Sequence, residues 1–157
     1  MVRLGVPHPD TAILGRADGL GAETRTVAKN RKARGEVPIR WRTEVANHDD
    51  AAAQSYLSLK LDEAAAAKAA EKLRQAKLTS RRVNDILRAA GLTPAALDDP
   101  GVVKDLIKVI EGKELSPILA VIGPRWADIA DGFHRVSLVY RIDPYGEVPL
   151  KLADIDG

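Results

Sequence analysis

The sequence predicts an α+β domain: a helical N-terminal part followed by a small mixed sheet with helices. Three observations carry this. Alanine-rich and helix-periodic stretches fill residues 50–110. A continuous apolar run, Leu115 to Ile122, is too short for most helices and reads as a buried strand. Ala127 to Tyr140 (ADIADGFHRVSLVY) then passes from an apolar strand through an Asp-Gly turn into an amphipathic helix.

The 157 residues suffice for one domain with a sizeable core. Charge is nearly balanced, 24 basic against 22 acidic residues, so no global attraction to nucleic acid follows. Its distribution is uneven. Residues 1–42 hold nine Arg/Lys against four Asp/Glu, leaving 15 against 18 in the rest. The absence of cysteine excludes disulfides, thiolate metal sites and a cysteine nucleophile. No apolar run approaches transmembrane length, and Met1 to Gly15 lacks a secretory apolar stretch, so no membrane and a cytoplasmic location are expected.

In chain order, residues 1–35 form a flexible basic segment, with Val27 to Arg34 (VAKNRKAR) able to touch nucleic acid or an acidic partner. No aromatic residue interleaves those charges, which argues against base stacking. Residues 36–97 form a strand plus a helical region. Glu36 to Thr43 alternates, with Val37, Ile39 and Trp41 on one side, and Pro38 confines it to an edge or a strand start. Asn47 to Asp50 reads as a cap-rich stop; a metal at His48-Asp49-Asp50 is the lesser reading. Asp50 to Lys77 predicts one long helix or two. Thr79 or Ser80 then caps a helix over Arg81 to Ala90, stopped by Gly91. The short linker Lys77-Leu78-Thr79 and the basic Arg81, Arg82 and Arg88 allow a helix-turn-helix, but a helical cap on the core is the preferred reading.

Residues 98–157 hold the sheet. Asp98-Asp99-Pro100 opens a helix with a wide apolar face ending at Gly112. Strands follow over Leu115 to Ile122 and Trp126 to Ala130, then a helix over Phe133 to Ile142 with Val136, Val139 and Tyr140 inward. Glu147 to Leu152, carrying Pro149, reads as an edge-like strand.

The turn into the last helix is the candidate site. A helix start presents free N–H groups and the positive end of the macrodipole, a ready anion site. His134 and Arg135 in its first turn oppose that dipole at about 0.3–1 kcal/mol each, a cost an anion would offset. The competing reading is internal: Asp131 caps the helix and pairs with Arg135, and Gly132 only supplies a positive-φ turn.

Asp99 to Ala153 resembles the fold shared by the ParB N-terminal domain and sulfiredoxin. It has the Asp-Pro helix, the Pro117-initiated strand, a strand leading into Gly132-Phe133-His134-Arg135, a helix, and the closing VPLKLA strand. The upstream part, with Trp41-Arg42-Thr43, is similar to uncharacterised bacterial and phage proteins, which implies no function. Against the sulfiredoxin motif, Gly-Cys-His-Arg, residues Gly132, His134 and Arg135 match, and Phe133 at the cysteine position excludes sulfinic-acid reduction. Against the ParB motif, Gly-Glu-Arg-Arg, Gly132 and Arg135 match. Against the Asp-Gly-His-Thr-Arg of free-serine kinases, Asp131, Gly132 and Arg135 match, with the histidine displaced by one place. Where the sulfiredoxin helix offers Lys, Ser and Thr to the nucleotide, this chain has Val102, Asp105 and Val109, none of which donates a hydrogen bond to a phosphate.

The resemblance implies a nucleotide- or phosphate-binding module, DNA-associated or regulatory, with ATP or CTP and Mg²⁺ as the cofactor set. Gly132, Phe133, His134 and Arg135, with Lys104 and Lys113, would hold the phosphates. One alternative is a small Mg²⁺-dependent kinase, NTPase or nuclease using Asp131 and His134 as catalytic residues. Another is a non-catalytic interaction protein with a degenerate pocket.

Overall fold

The computed structural model describes residues 38–156; the basic N-terminal segment, with Glu36 and Val37, lies outside the described residues. Its elements are β1 (Arg40–Trp41), α1 (Asn47–Leu57), α2 (Glu63–Gln75), β2 (Leu78–Arg82), α3 (Val83–Ala90), α4 (Pro100–Ile110), β3 (Glu114–Leu115), β4 (Ile118–Ile122), β5 (Ala127–Asp131), α5 (Phe133–Ile142) and β6 (Glu147–Asp154). The class is α+β.

A four-stranded mixed sheet runs in the order β2-β6-β4-β5, with β4 parallel to β6 and the other two pairings antiparallel. The two-residue strands β1 and β3 pair in parallel beside it. Strands from residues 36–97 and 98–157 therefore interleave in both sheets. Successive β4 residues point to opposite faces. Ile118 and Ala120 enter one core with Val83, Leu87, Val102, Val136 and Val139, beneath α3, α4 and α5. Leu119 and Val121 enter a second core with Leu57, Ala66, Ala69 and Leu73, beneath α1 and α2. A strand covered on both faces has no polar side to show, which is why Leu115 to Ile122 reads as continuously apolar. Ser116-Pro117 divides that run into β3 and β4.

Of the two forms expected for the 50–77 stretch the structure has the second, two helices parted at Ser58 to Asp62, where the Asp62 carboxylate accepts from the Ala65 N–H at 2.8 Å. Other expectations are corrected. Asn47 to Asp50 is the first turn of α1 rather than a stop. Its N-cap is Ala46, without a side-chain bond. Thr79 and Ser80 cap nothing: Leu78–Arg82 is a strand paired with β6, and α3 starts at Val83. That removes the helix-turn-helix reading. All five β2 residues are exposed, so no burial pattern marks them in sequence. Finally, β6 is interior rather than an edge strand. Pro149 is tolerated because β4 pairing begins one residue later, at Ile118↔Leu150, so at Pro149 only β2 is alongside. No described helix is long and apolar enough to cross a membrane.

Candidate functional site: the corner where α4 and α5 begin

The corner is built by a turn, a bulge and two helix starts. The β4–β5 register slips between Leu119↔Asp131 and Ala120↔Ile129, leaving Ala130 as an extra residue. A bulge re-aims the side chains beyond it. Here it sets Asp131 opposite Leu119, on the side of the sheet that α1 covers. Gly132 then takes the left-handed conformation at φ 108° and starts α5 with no side-chain cap. A side chain at Gly132 would be strained and crowded: its Cβ would lie 2.8 Å from Ile118 Cδ1 and 3.0 Å from Arg135 Nη2.

Arg135 reaches back across this turn. Its Nη2 donates to Asp131 Oδ2 at 2.7 Å and its Nη1 to Asp49 Oδ2 at 2.9 Å, while Nε is buried without a partner among the described residues. The guanidinium side chain is 12% exposed. Asp49, read from sequence as part of a cap, is instead a buried partner that ties α1 to α5. Burial pushes its carboxyl pKa up, but the hydrogen bond from Ser116 and the charge and hydrogen bond of Arg135 outweigh burial and hold it below the ordinary value. Asp131 moves the other way. Burial comes first, and the neighbouring Asp49 charge adds to it; together they exceed the pull of Arg135 and raise the Asp131 carboxyl. One guanidinium shared by two carboxylates explains the split: Asp49 has Ser116 as well, so Asp131 carries the penalty.

Asp105, buried on α4, is a third carboxylate in the same field. Its pKa is raised by burial against the lowering charges of Arg135, Lys108, His134 and Lys104. Three carboxylates thus crowd the one buried guanidinium of the corner.

His134 sits at the junction of the two helix starts. Its Nε2 lies 3.3 Å from Asp99 Oδ1, the carboxylate that also caps α4 by accepting from the Gly101 N–H at 2.8 Å. The ring lies against Gly101, where a Cβ would come within 2.5 Å of it. Phe133 meets the same ring edge-on, centroids 5.6 Å apart, and packs its other side on the core. His134 is half-exposed and is the accessible imidazole of the corner.

The other sequence-predicted residues fall elsewhere. Lys104 is exposed on α4, one turn in from the corner. Lys113 follows the far end of α4 beside Glu111 at 3.6 Å. An 11-residue helix is about 16 Å long, so Lys113 is not brought to the corner. Val102 and Val109 are fully buried core residues. Asp131 faces Arg135 and His134 faces Asp99, so service of Asp131 as a general base would require it to give up its guanidinium. Among the described residues no cluster of three or more His, Asp or Glu is arranged to hold a metal ion.

Sequence reading missed Asp49, Ser116 and Asp99 as parts of the corner. Spacing could not find the first two, because 86 residues separate Asp49 from Arg135 and 70 separate Ala46 from the Ser116 hydroxyl that accepts its N–H. It also missed a cluster near the β5 edge, where the buried Asp128 accepts from Tyr56 Oη at 2.5 Å and pairs with Lys60. A cleft of about 300 Å³ lies apart from the corner, between α3 and α5, lined in part by Leu87, Leu92, Tyr140 and Tyr145.

The chain matches no family model, and comparison with curated proteins and with solved structures yields no match.

Proposed function

We propose that the chain is a nucleotide- or phosphate-binding module of the ParB/sulfiredoxin type whose ligand meets the first turn of α5. The observation that carries this is the convergence of two helix N-termini on the half-exposed His134, one of them uncapped. The amides of Phe133, His134 and Arg135 lie in that first turn and, with the His134 ring N–H, favour a negative group. Arg135 acts from behind, as the group that holds Asp131 and the turn in place. Because Asp99, Asp105 and Asp131 surround the corner, a fully charged phosphate is favoured when Mg²⁺ or a proton accompanies it. The N-terminal basic segment would add affinity for nucleic acid.

Isothermal calorimetry with ATP, CTP, GTP, ADP and inorganic phosphate, with and without Mg²⁺, tests this. The expected result is saturable binding by at least one nucleotide, weakened about tenfold by His134→Ala, equivalent to about 1.4 kcal/mol. No heat at millimolar nucleotide, or equal binding by the variant, would overturn it.

A second reading is favoured by Arg135 itself. Both terminal nitrogens are already spent on protein carboxylates, as in a closed internal network. On that reading the chain is a non-catalytic interaction protein, and the same calorimetry gives no heat from a well-folded sample.

A further inference from the structure

Helix α4 carries an apolar face wider than the core covers. Val102, Leu106 and Val109 face the core, while Val103, Ile107 and Ile110 recur at i, i+4 and i+7 along the outer edge of the same face, about 100° round the helix. Ile107 is 50% and Ile110 61% exposed, although Ile is among the residue types most often fully buried. An amphipathic helix ordinarily turns the whole of its apolar stripe to a partner surface. One flank of the outer stripe is basic. Lys104 is exposed and makes no ion pair among the described residues, and Lys108 reaches Asp105 only at 3.9 Å. Glu111 on the same flank is engaged by Lys113, which leaves that flank net positive.

We infer that this outer face of α4 is a docking surface for an amphipathic helix of a partner protein. The partner's apolar residues would cover Val103, Ile107 and Ile110, and an acidic flank would lie along Lys104 and Lys108. Helix-on-helix recognition of this kind reads anchors at i, i+3, i+4 and i+7. Charge selects the occupant. In an antiparallel helix pair like flanks meet, so a second copy packed that way would set Lys104 and Lys108 against their own equivalents. An acidic helix turns the same geometry into attraction.

The test is selection of helical peptides from a display library on the full chain, followed by fluorescence polarisation with the selected peptides. Selected peptides should carry an apolar stripe with Asp or Glu beside it. Ile107→Ser should weaken their binding by about tenfold or more, and Lys104→Glu by several-fold with loss of salt dependence. Both sites are exposed, so circular dichroism and the unfolding midpoint should stay near the parent's. Peptides bound equally by Ile107→Ser, selected peptides without acidic residues, or an empty selection would overturn the inference. So would sedimentation showing a dimer that Ile107→Ser dissociates, since the face would then belong to a second copy.

Discussion

Removing Asp49 asks what the Arg135 network is worth. Asp49→Ala leaves Arg135 Nη1 without its 2.9 Å partner in a side chain only 12% exposed. Breaking a buried ion pair from one side costs about 3–5 kcal/mol. Asp131 still holds Nη2, and loss of Asp49 relieves its repulsion, so about 2–3 kcal/mol is expected here. For a chain of this size that corresponds to a fall of about 5–10 °C in the unfolding midpoint. Urea unfolding at 25 °C would measure it. Context supplies the stronger check. In an Arg135→Met background Asp49 is a buried, unrepaid charge, so Asp49→Ala should become neutral or stabilising. The pH dependence has a definite sign. Asp49 has a depressed pKa in the folded state, so its contribution is present above the unfolded value near 3.8 and is lost as pH falls through the folded one. The gap between parent and variant should therefore close on acidification below that point. A cost under about 0.5 kcal/mol at pH 7, or the same cost with and without Arg135, would refute the view that the guanidinium depends on Asp49.

Two more outcomes are expected at the same corner. Gly132→Ala forces a side chain into a left-handed turn and toward Ile118 and Arg135, which should destabilise by about 1–3 kcal/mol in urea unfolding; a neutral effect would mean the turn relaxes freely. Asp105→Asn should stabilise at neutral pH, because burial raises the Asp105 pKa and the parent's charged form is the disfavoured one. A raised pKa means parental stability falls as pH rises from the unfolded value near 3.8 through the folded one, so the variant's advantage should grow across that interval, level off above it and disappear below 3.8. A variant less stable than the parent at pH 7 would contradict this.

The α+β class and most elements of the second half were legible in sequence because they are locally encoded. The Asp99-Pro100 start, the doubly covered β4 run and the Asp131-Gly132 turn each carry their own signal. Strand β2 was not legible. Its residues, LTSRR, are all exposed, and only pairing with β6, some seventy residues later, makes them a strand. The edge reading of β6 failed for a related reason, since a proline reports which N–H is missing but not how far the neighbouring strand extends. At the corner, His134 and Arg135 were found by their place in the first turn of α5, and the pairing of Asp131 with Arg135 was foreseen as the internal alternative. The partnership with Asp49 was invisible, because a carboxylate in the first turn of a helix looks like a capping group whichever way it faces.

The place of β6 has a consequence for how the protein is made. Strand β6 is translated after both β2 and β4 and is inserted between them, so neither of those neighbours has a hydrogen-bonding partner on that side until residues 147–154 have been synthesised. Nascent chains ordinarily settle from the N-terminus onward. Here helices α1 to α5 can form early, but the layer they pack against closes only once its keystone arrives. Ribosome-arrested chains halted before Glu147 should accordingly remain protease-sensitive, and protection should appear abruptly, as a single event, when β6 emerges.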